Sequence, residues 1–415
     1  MSVSRELSDK QNILYNAAGS LIYLGCQWLL TVLVVRLSDG LEYAGNLALA
    51  MSIANIFVPF AQYRMRTIQV SDVSHCFSVG DYLGFRFLTV VVALIGSMIY
   101  SYFTCASSAL LSIFVYLLYK ALELVIDVFH GLDQQNYRMD YVGISFALRG
   151  ALSVTAFSGA LVLGMNLEMA LAVMTLVCIP VCCFFDIPKA KQFERLSPIF
   201  NKSNVIYFLK IGIMPAASLF ACSAAMTFPR QMLSSLFGTA SLGLYASVAS
   251  PIAIVQTGAS YIYTPLIGRF AESYSRGDSK SFISLFIKVS LTMLALVAVL
   301  SFLFSFFGHY FLNLLYGDEV AKHTELLVPM LICSLFTVLL WFTNDLLVAM
   351  RKVVQSFIGN VIAAILALVS SFYFVPSFSM NGVSFTGIMG YGLAFVFSLW
   401  FIISSIKPSR GVFGD

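Results

Sequence analysis

Charge is what this chain has least of. Only 11% of its 415 residues are charged and four are histidine, while 59% are hydrophobic; soluble domains carry roughly 25% charged residues. That shortage excludes a large water-soluble core. Long polar sequence is missing as well: the longest polar stretch, around Asp186 to Asn204, runs to fewer than about 20 residues, too short to fold alone. An extramembrane catalytic domain is therefore not expected. The net charge of +4 is spread over many short loops, which suits anionic lipid headgroups and lacks the clustered patch that grips nucleic acid. Met1 to Gln11 is polar and mixed in charge, unlike a cleavable signal peptide. The eight cysteines fall almost wholly in apolar segments, so they read as free thiols, with no metal site expected.

What remains is apolar sequence in long blocks. A bilayer core of ~30 Å takes ~20 apolar residues per helix, and on that ruler the chain has about twelve spans. Their expected limits are 12–35, 43–67, 84–104, 108–130, 141–163 and 168–187 in one half. In the other they are 205–228, 241–267, 282–307, 324–350, 356–376 and 386–406. Of the 24 Lys and Arg, about 20 lie in the tails and in every second loop, the pattern of basic loops kept in the cytoplasm. Arg5/Lys10, Arg64/Arg66/Arg86, Arg138, Lys189/Lys191/Arg195/Lys202, Arg269/Arg276/Lys280, Arg351/Lys352 and Lys407/Arg410 belong to that set. An even number of spans puts both termini on the same, cytoplasmic side.

The polar stretch near Lys191 suggests a domain plan: a six-helix lobe over 1–190, a linker over 191–204 and a second lobe over 205–415. A weak repeat supports it. Ala44-Gly45-Asn46-Leu47-Ala48-Leu49-Ala50-Met51-Ser52 reads like Leu242-Gly243-Leu244-Tyr245-Ala246-Ser247-Val248-Ala249-Ser250, and Asp127 has a rough counterpart in Asp345. Paired halves are a transporter plan.

Polar residues inside the spans recur at helical spacing. Asn16, Ser20, Tyr23, Gln27 and Thr31 share one face; Asn55, Gln62, Arg66 and Gln69 share another, with Pro59. The fourth span carries the richest stripe: Tyr116, Lys120, Glu123, Asp127, His130 and Gln134. Ser223, Thr227, Arg230 and Ser234 follow, then Ser334, Thr337, Trp341 and Asp345. Such stripes either line a wet cavity or hydrogen-bond one helix to another. Charge weighs toward the cavity, because mid-span Lys and Arg are expensive.

Five cations, Arg36, Arg66, Lys120, Arg149 and Arg230, form the expected substrate-binding set, with Asn16, Gln27, Asn55, Gln62 and Thr227 as polar lining. Guanidinium forks suit phosphate. Simpler readings stand beside this: an intrahelical Lys120–Glu123 pair, Arg149 snorkelling to headgroups, and Arg36 as an interfacial anchor. Pro229 is expected to break its helix and free carbonyls for Arg230. Glu123, Asp127 and Asp345, the strong intramembrane acids, are the candidates for coupling to H+ or Na+; no other cofactor is expected. His309, His323, Asp318 and Glu319 share one short loop whose spacing matches no catalytic pattern. The chain is not expected to be an enzyme.

Several stretches resemble the Wzx-type oligosaccharide flippases, the polysaccharide-biosynthesis branch of the exporter superfamily that also holds the MATE drug antiporters. They are Asn16-Ala17-Ala18-Gly19-Ser20 with Gln27-Trp28-Leu29 and Val34-Val35-Arg36-Leu37; Ala44-Gly45 with Leu47-Ala48-Leu49-Ala50; and Leu315-Tyr316-Gly317 followed by Leu346-Leu347-Val348-Ala349-Met350-Arg351-Lys352. The resemblance implies an all-α integral membrane protein of about twelve helices, in two pseudo-symmetric six-helix lobes around a central cavity. It also implies alternating-access transfer of undecaprenyl-pyrophosphate-linked glycan across the plasma membrane of a bacterium or archaeon. The product would be O-antigen of lipopolysaccharide, capsule or exopolysaccharide, with polymerase or assembly proteins as partners. The rival expectation is a MATE-like cation-coupled antiporter of drugs or organic cations. Some MATE branches place an acid in the first span, where this chain has Gln27.

Overall fold

The computed structural model describes residues 8–38, 40–72 and 76–406; Arg5, Lys407 and Arg410 of the basic tails lie outside them. Helices account for all regular secondary structure among the described residues. Eleven of these helices are long and apolar enough to cross a membrane. Large side chains such as Val91, Val92, Ile95 and Ile99 remain exposed along them, which water disfavours and acyl chains accept. The chain is an all-α, multi-pass membrane protein. Its packing divides it into two compact units, Met1–Phe220 and Ala221–Asp415.

In the first unit α1 (Asp9–Leu37) starts at a capping box in which Ser8 and Gln11 satisfy each other's backbone amides. The helix α2 (Leu41–Gln62) follows Gly40. It stops where Tyr63 and Arg64 both adopt left-handed backbone (φ 51° each), and α3 (Met65–Ser71) resumes. The expected second span, 43–67, is thus broken near its end. A second capping box, Ser78 with Asp81, starts α4 (Val79–Thr104). Next come α5 (Leu110–Gln135), α6 (Met139–Val162) and α7 (Leu167–Val181), then a π-helical segment Cys182–Asp186 and α8 (Ile187–Ala190).

Close approach of backbones needs glycine, and α1 meets α6 through it. Gly143 abuts the Tyr15 carbonyl and Gly19, and further along Gly150 lies against Tyr23 and Cys26. Residue numbers climb together on both helices, so they run parallel, as a first and a fifth crossing must. The segment after α8 is tied to α4: Ile199 N–H donates to the Gly80 carbonyl at 2.8 Å, and Glu194 accepts from Val79 N–H at 3.0 Å. The helix α9 (Lys202–Phe237) then buries Phe208 against Tyr82 and Phe85 in the aromatic core of this unit.

The second unit holds α10 (Thr239–Tyr263), α11 (Ile267–Ser275), α12 (Ser279–Tyr316), the single turn α13 (Asp318–Ala321), α14 (Leu327–Ala349) and α15 (Val353–Ser405). Phe270, Phe282 and Phe342 centre its core. The 53-residue α15 is broken at Ser379 (φ 50°, ψ −126°). A Cβ at Gly382 would overlap the Phe374 carbonyl, Gly390 lies against Ala363 and Ala367, and Gly359 against Ser398. These pairs diverge evenly from residue 378, the mark of an antiparallel hairpin. That element supplies two crossings, which brings the total to the twelve expected, with helix where a loop was expected at 377–385.

The repeat read from the sequence holds in the backbone. One interval separates Gly40 from Gly238, Leu41 from Thr239 and Ala44 from Leu242, and both glycines have positive φ. The likeness of Asp127 to Asp345 is off by a turn. Arg138 N–H bonds the Asp133 carbonyl just as Lys352 N–H bonds that of Leu347, and on this register Asp345 matches Gly131.

Candidate functional site

The ionisable residues of the first unit converge on one face of α5. Asp127 accepts from Arg66 Nη1 at 3.3 Å and from Arg86 Nη2 at 3.1 Å. One turn earlier Glu123 pairs with Lys120 Nζ at 2.8 Å and Arg149 Nη1 at 3.5 Å. Four cations thus meet two carboxylates, and each carboxylate is shared by one buried and one accessible cation. Arg86 and Arg149 are 0% and 2% exposed, whereas Arg66 and Lys120 are 24% and 23% exposed. Burying an unpaired charge costs several kcal/mol, so the acids fix the inner arginines. The outer pair stays partly exposed.

Neutral groups complete the cluster. The Tyr23 hydroxyl donates to Glu123 and lies 3.3 Å from that of Tyr119, to which Gln27 donates at 3.1 Å. Lys120 sits over the Tyr116 and Tyr119 rings, and Arg149 over Phe146, with Ser145 accepting from its Nε at 3.3 Å. Arg66 Nε donates to Gln134 at 3.2 Å. Tyr23 and Gln27 of the first stripe and Arg66 of the second thus join the stripe of the fourth span.

Several sequence expectations fare differently. Arg86, expected among the loop bases, is fully buried in α4. Its Nη1 donates to the Ala61 carbonyl at 2.8 Å, where the hydrogen-bond ladder of α2 stops. Its position seven residues inside α4, between Phe85 and Thr89, was the available signal. Arg149 does not snorkel; it is buried on Glu123. Arg36 is exposed in the last turn of α1, Asn55 is exposed, and Asn16 and Gln62 are half-buried.

In the second unit, α9 passes through Phe228-Pro229 as continuous helix, so the expected break does not form. Arg230 instead lies over the Tyr245 ring, 6.0 Å from its centroid. Thr227 donates to the Ser223 carbonyl in its own helix. Asp345 is exposed and hydrogen-bonded with Tyr263. Helix-to-helix contact claims some polar residues here: Asn344 donates to Asn360 at 2.7 Å and accepts from Ser356 at 3.0 Å, joining α14 to α15. His309, on α12 and not in the expected loop, and Lys322 both lie near Asp318 at the start of α13, while His323 contacts Glu325 in the turn that follows.

This is the architecture of a multi-pass membrane protein with a charged cluster inside one of its two units. The chain matches no protein-family model. It is 24% identical over 384 residues to the capsular polysaccharide biosynthesis protein CapF of Staphylococcus aureus, covering 91% of this chain and 94% of that one. Its fold is similar to that of the lipid II flippase MurJ in an inward closed conformation (TM-score 0.73, 11% identity, 95% of this chain and 89% of the other). It is also similar to an inward-facing multidrug resistance MATE family transporter of the MOP superfamily (TM-score 0.64, 15% identity, 99% and 98%). The likeness to a polysaccharide-biosynthesis protein in sequence, and to these transporters in fold, thus extends along nearly the whole chain.

Proposed function

We propose that this protein is a flippase that moves a lipid-linked oligosaccharide bearing a phosphate or pyrophosphate across the cytoplasmic membrane, for O-antigen, capsule or exopolysaccharide synthesis. It does so by alternating access and without bond chemistry, with both termini in the cytoplasm. The observation that carries this reading is the surplus of cations around Glu123 and Asp127, with Arg66 and Lys120 accessible. A phosphate brings the negative charge this cluster lacks and accepts from a guanidinium and an ammonium together. Likeness to a capsular polysaccharide biosynthesis protein agrees. Undecaprenyl pyrophosphate is the natural carrier for such a glycan.

An organic-cation antiporter would need the opposite sign, and the Tyr23–Gln27 face of α1 has no carboxylate. For coupling to H+ or Na+, Glu123 and Asp127 are each already held between two cations. Asp345 is the sequence candidate outside that network, and Asp345→Asn with and without an imposed proton gradient tests it.

The main experiment is deletion of the gene and measurement of lipid-linked glycan on the inner leaflet. Trapped glycan, rescued by the wild-type chain and not by Arg66→Ala, is the expected result. Gradient-driven uptake of organic cations by proteoliposomes, indifferent to lipid-linked glycan, would overturn it.

A further inference from the structure

A second group of titratable side chains lies beyond the cation network. His130 and Asp133 are one turn apart on α5, and Asp186 ends the π-helical segment that interrupts the sixth crossing; all three are buried. Single-turn π segments occur often at functional sites, because the extra residue re-aims its side chains. Here the segment brings a carboxylate to the imidazole: Asp186 Oδ1 is 3.6 Å from His130 Nε2. That is too long for a hydrogen bond. His130 Nε2, Asp133 Oδ1 and Asp186 Oδ2 are each buried without a hydrogen-bond partner.

The charged neighbours are committed elsewhere. Arg66 from α3 and Arg149 from α6 lie within electrostatic reach, but they hold Asp127 and Glu123. Arg138, before α6, is bidentate to Asp140 at 2.9 and 2.7 Å, and Lys189 on α8 lies over the Tyr141 ring. Asp186 itself acts on Asp133, and Cys182 is buried in the same segment. Two carboxylates and an imidazole thus share a dry site with no cation in contact. A metal ion is not the fitting occupant, since among the described residues no three such groups have the geometry to hold one.

We infer that His130, Asp133 and Asp186 form a binding site for a proton, separate from the cations that would meet phosphate. A proton from water on one carboxyl turns an acceptor into a donor for its neighbours. On His130 Nε2 it faces Asp186. Buried acids without partners are costly, and one proton neutralises the acid it binds. If the flippase reading holds, the exchange of this proton with water is a step of the transport cycle.

Infrared difference spectroscopy of the full-length protein, titrated from neutral to alkaline pH, tests the site without any transported substrate. The expected result is a protonated-carboxyl band that disappears on titration, is lost in Asp133→Asn or Asp186→Asn, and shifts in Asp133→Glu. Absence of such a band in the wild type, which needs no variant to fold, overturns the inference. So does a band unchanged in every variant. A band that behaves as expected, in a protein that moves no lipid-linked glycan, would instead count against the flippase reading alone.

Discussion

Arg66 and Arg86 share the Asp127 carboxylate from opposite sides, one accessible and one sealed. Their replacement should therefore fail in different ways. Arg66→Ala is expected to abolish glycan export with nearly unchanged melting of the purified protein, because only the exposed pole is lost. Arg86→Ala removes the sealed partner of Asp127, which keeps Arg66, and one of two donors to the Ala61 carbonyl, which keeps Thr89 Oγ1 at 2.8 Å; a loss of about 1.5–3 kcal/mol in folding stability is expected, read as a fall in melting temperature. Asp72, in the loop before α4, is a local case that pH can address. Burial alone would raise its carboxyl, but amide donors from Cys76 and Phe77, each at 3.0 Å, and the Tyr82 hydroxyl hold it below the usual range. A depressed carboxyl stabilises the loop at any pH above its unfolded value and loses that effect as pH falls through the folded one. Protection factors for hydrogen exchange at the Cys76 and Phe77 amides, each rate taken against an unprotected amide at the same pH, should accordingly fall below about pH 4, the ordinary carboxylate range, and be low at all pH in Asp72→Asn.

Helices here are placed by small residues and by breaks. Gly143 in α6 faces backbone of α1, so Gly143→Val must push the two apart, at a cost of roughly 1–3 kcal/mol; a lowered melting temperature with intact helix content checks this. Ser379 turns α15 back on itself at positive φ. Glycine takes that conformation freely, so Ser379→Gly is expected to raise stability by about 1 kcal/mol. The α5 stripe was legible before folding because a 3.6-residue period puts Lys120, Glu123, Asp127 and His130 on one face. Which helices cover that face was not. Arg86, Asp133 and Asp186 joined the site only through the packing of α4 and of the π-helical segment against α5, and local spacing carries no record of that.

Twelve crossings place the loops alternately on two sides of the membrane. Cys76 follows the second crossing and is exposed; Cys105 follows the third and is partly exposed. In intact cells expressing single-cysteine versions, an impermeant thiol reagent should label Cys105 and spare Cys76 until the membrane is opened. Labelling of Cys76 alone would invert the whole topology. The same alternation explains why the basic residues concentrate in every second loop.

Apolar block length and a 3.6-residue period are properties of adjacent residues, and from them follow the number of crossings, the internal repeat and the charged face of α5. Partner choice is not such a property. Whether a mid-helix arginine ends in headgroups, as Arg149 was free to do, or on a buried carboxylate depends on residues far along the chain that arrive only when helices pack. Folding alone brought Arg86 to Asp127, Arg149 to Glu123 and Asp186 to His130, because inside a water-free protein a charge is stable only where another segment meets it.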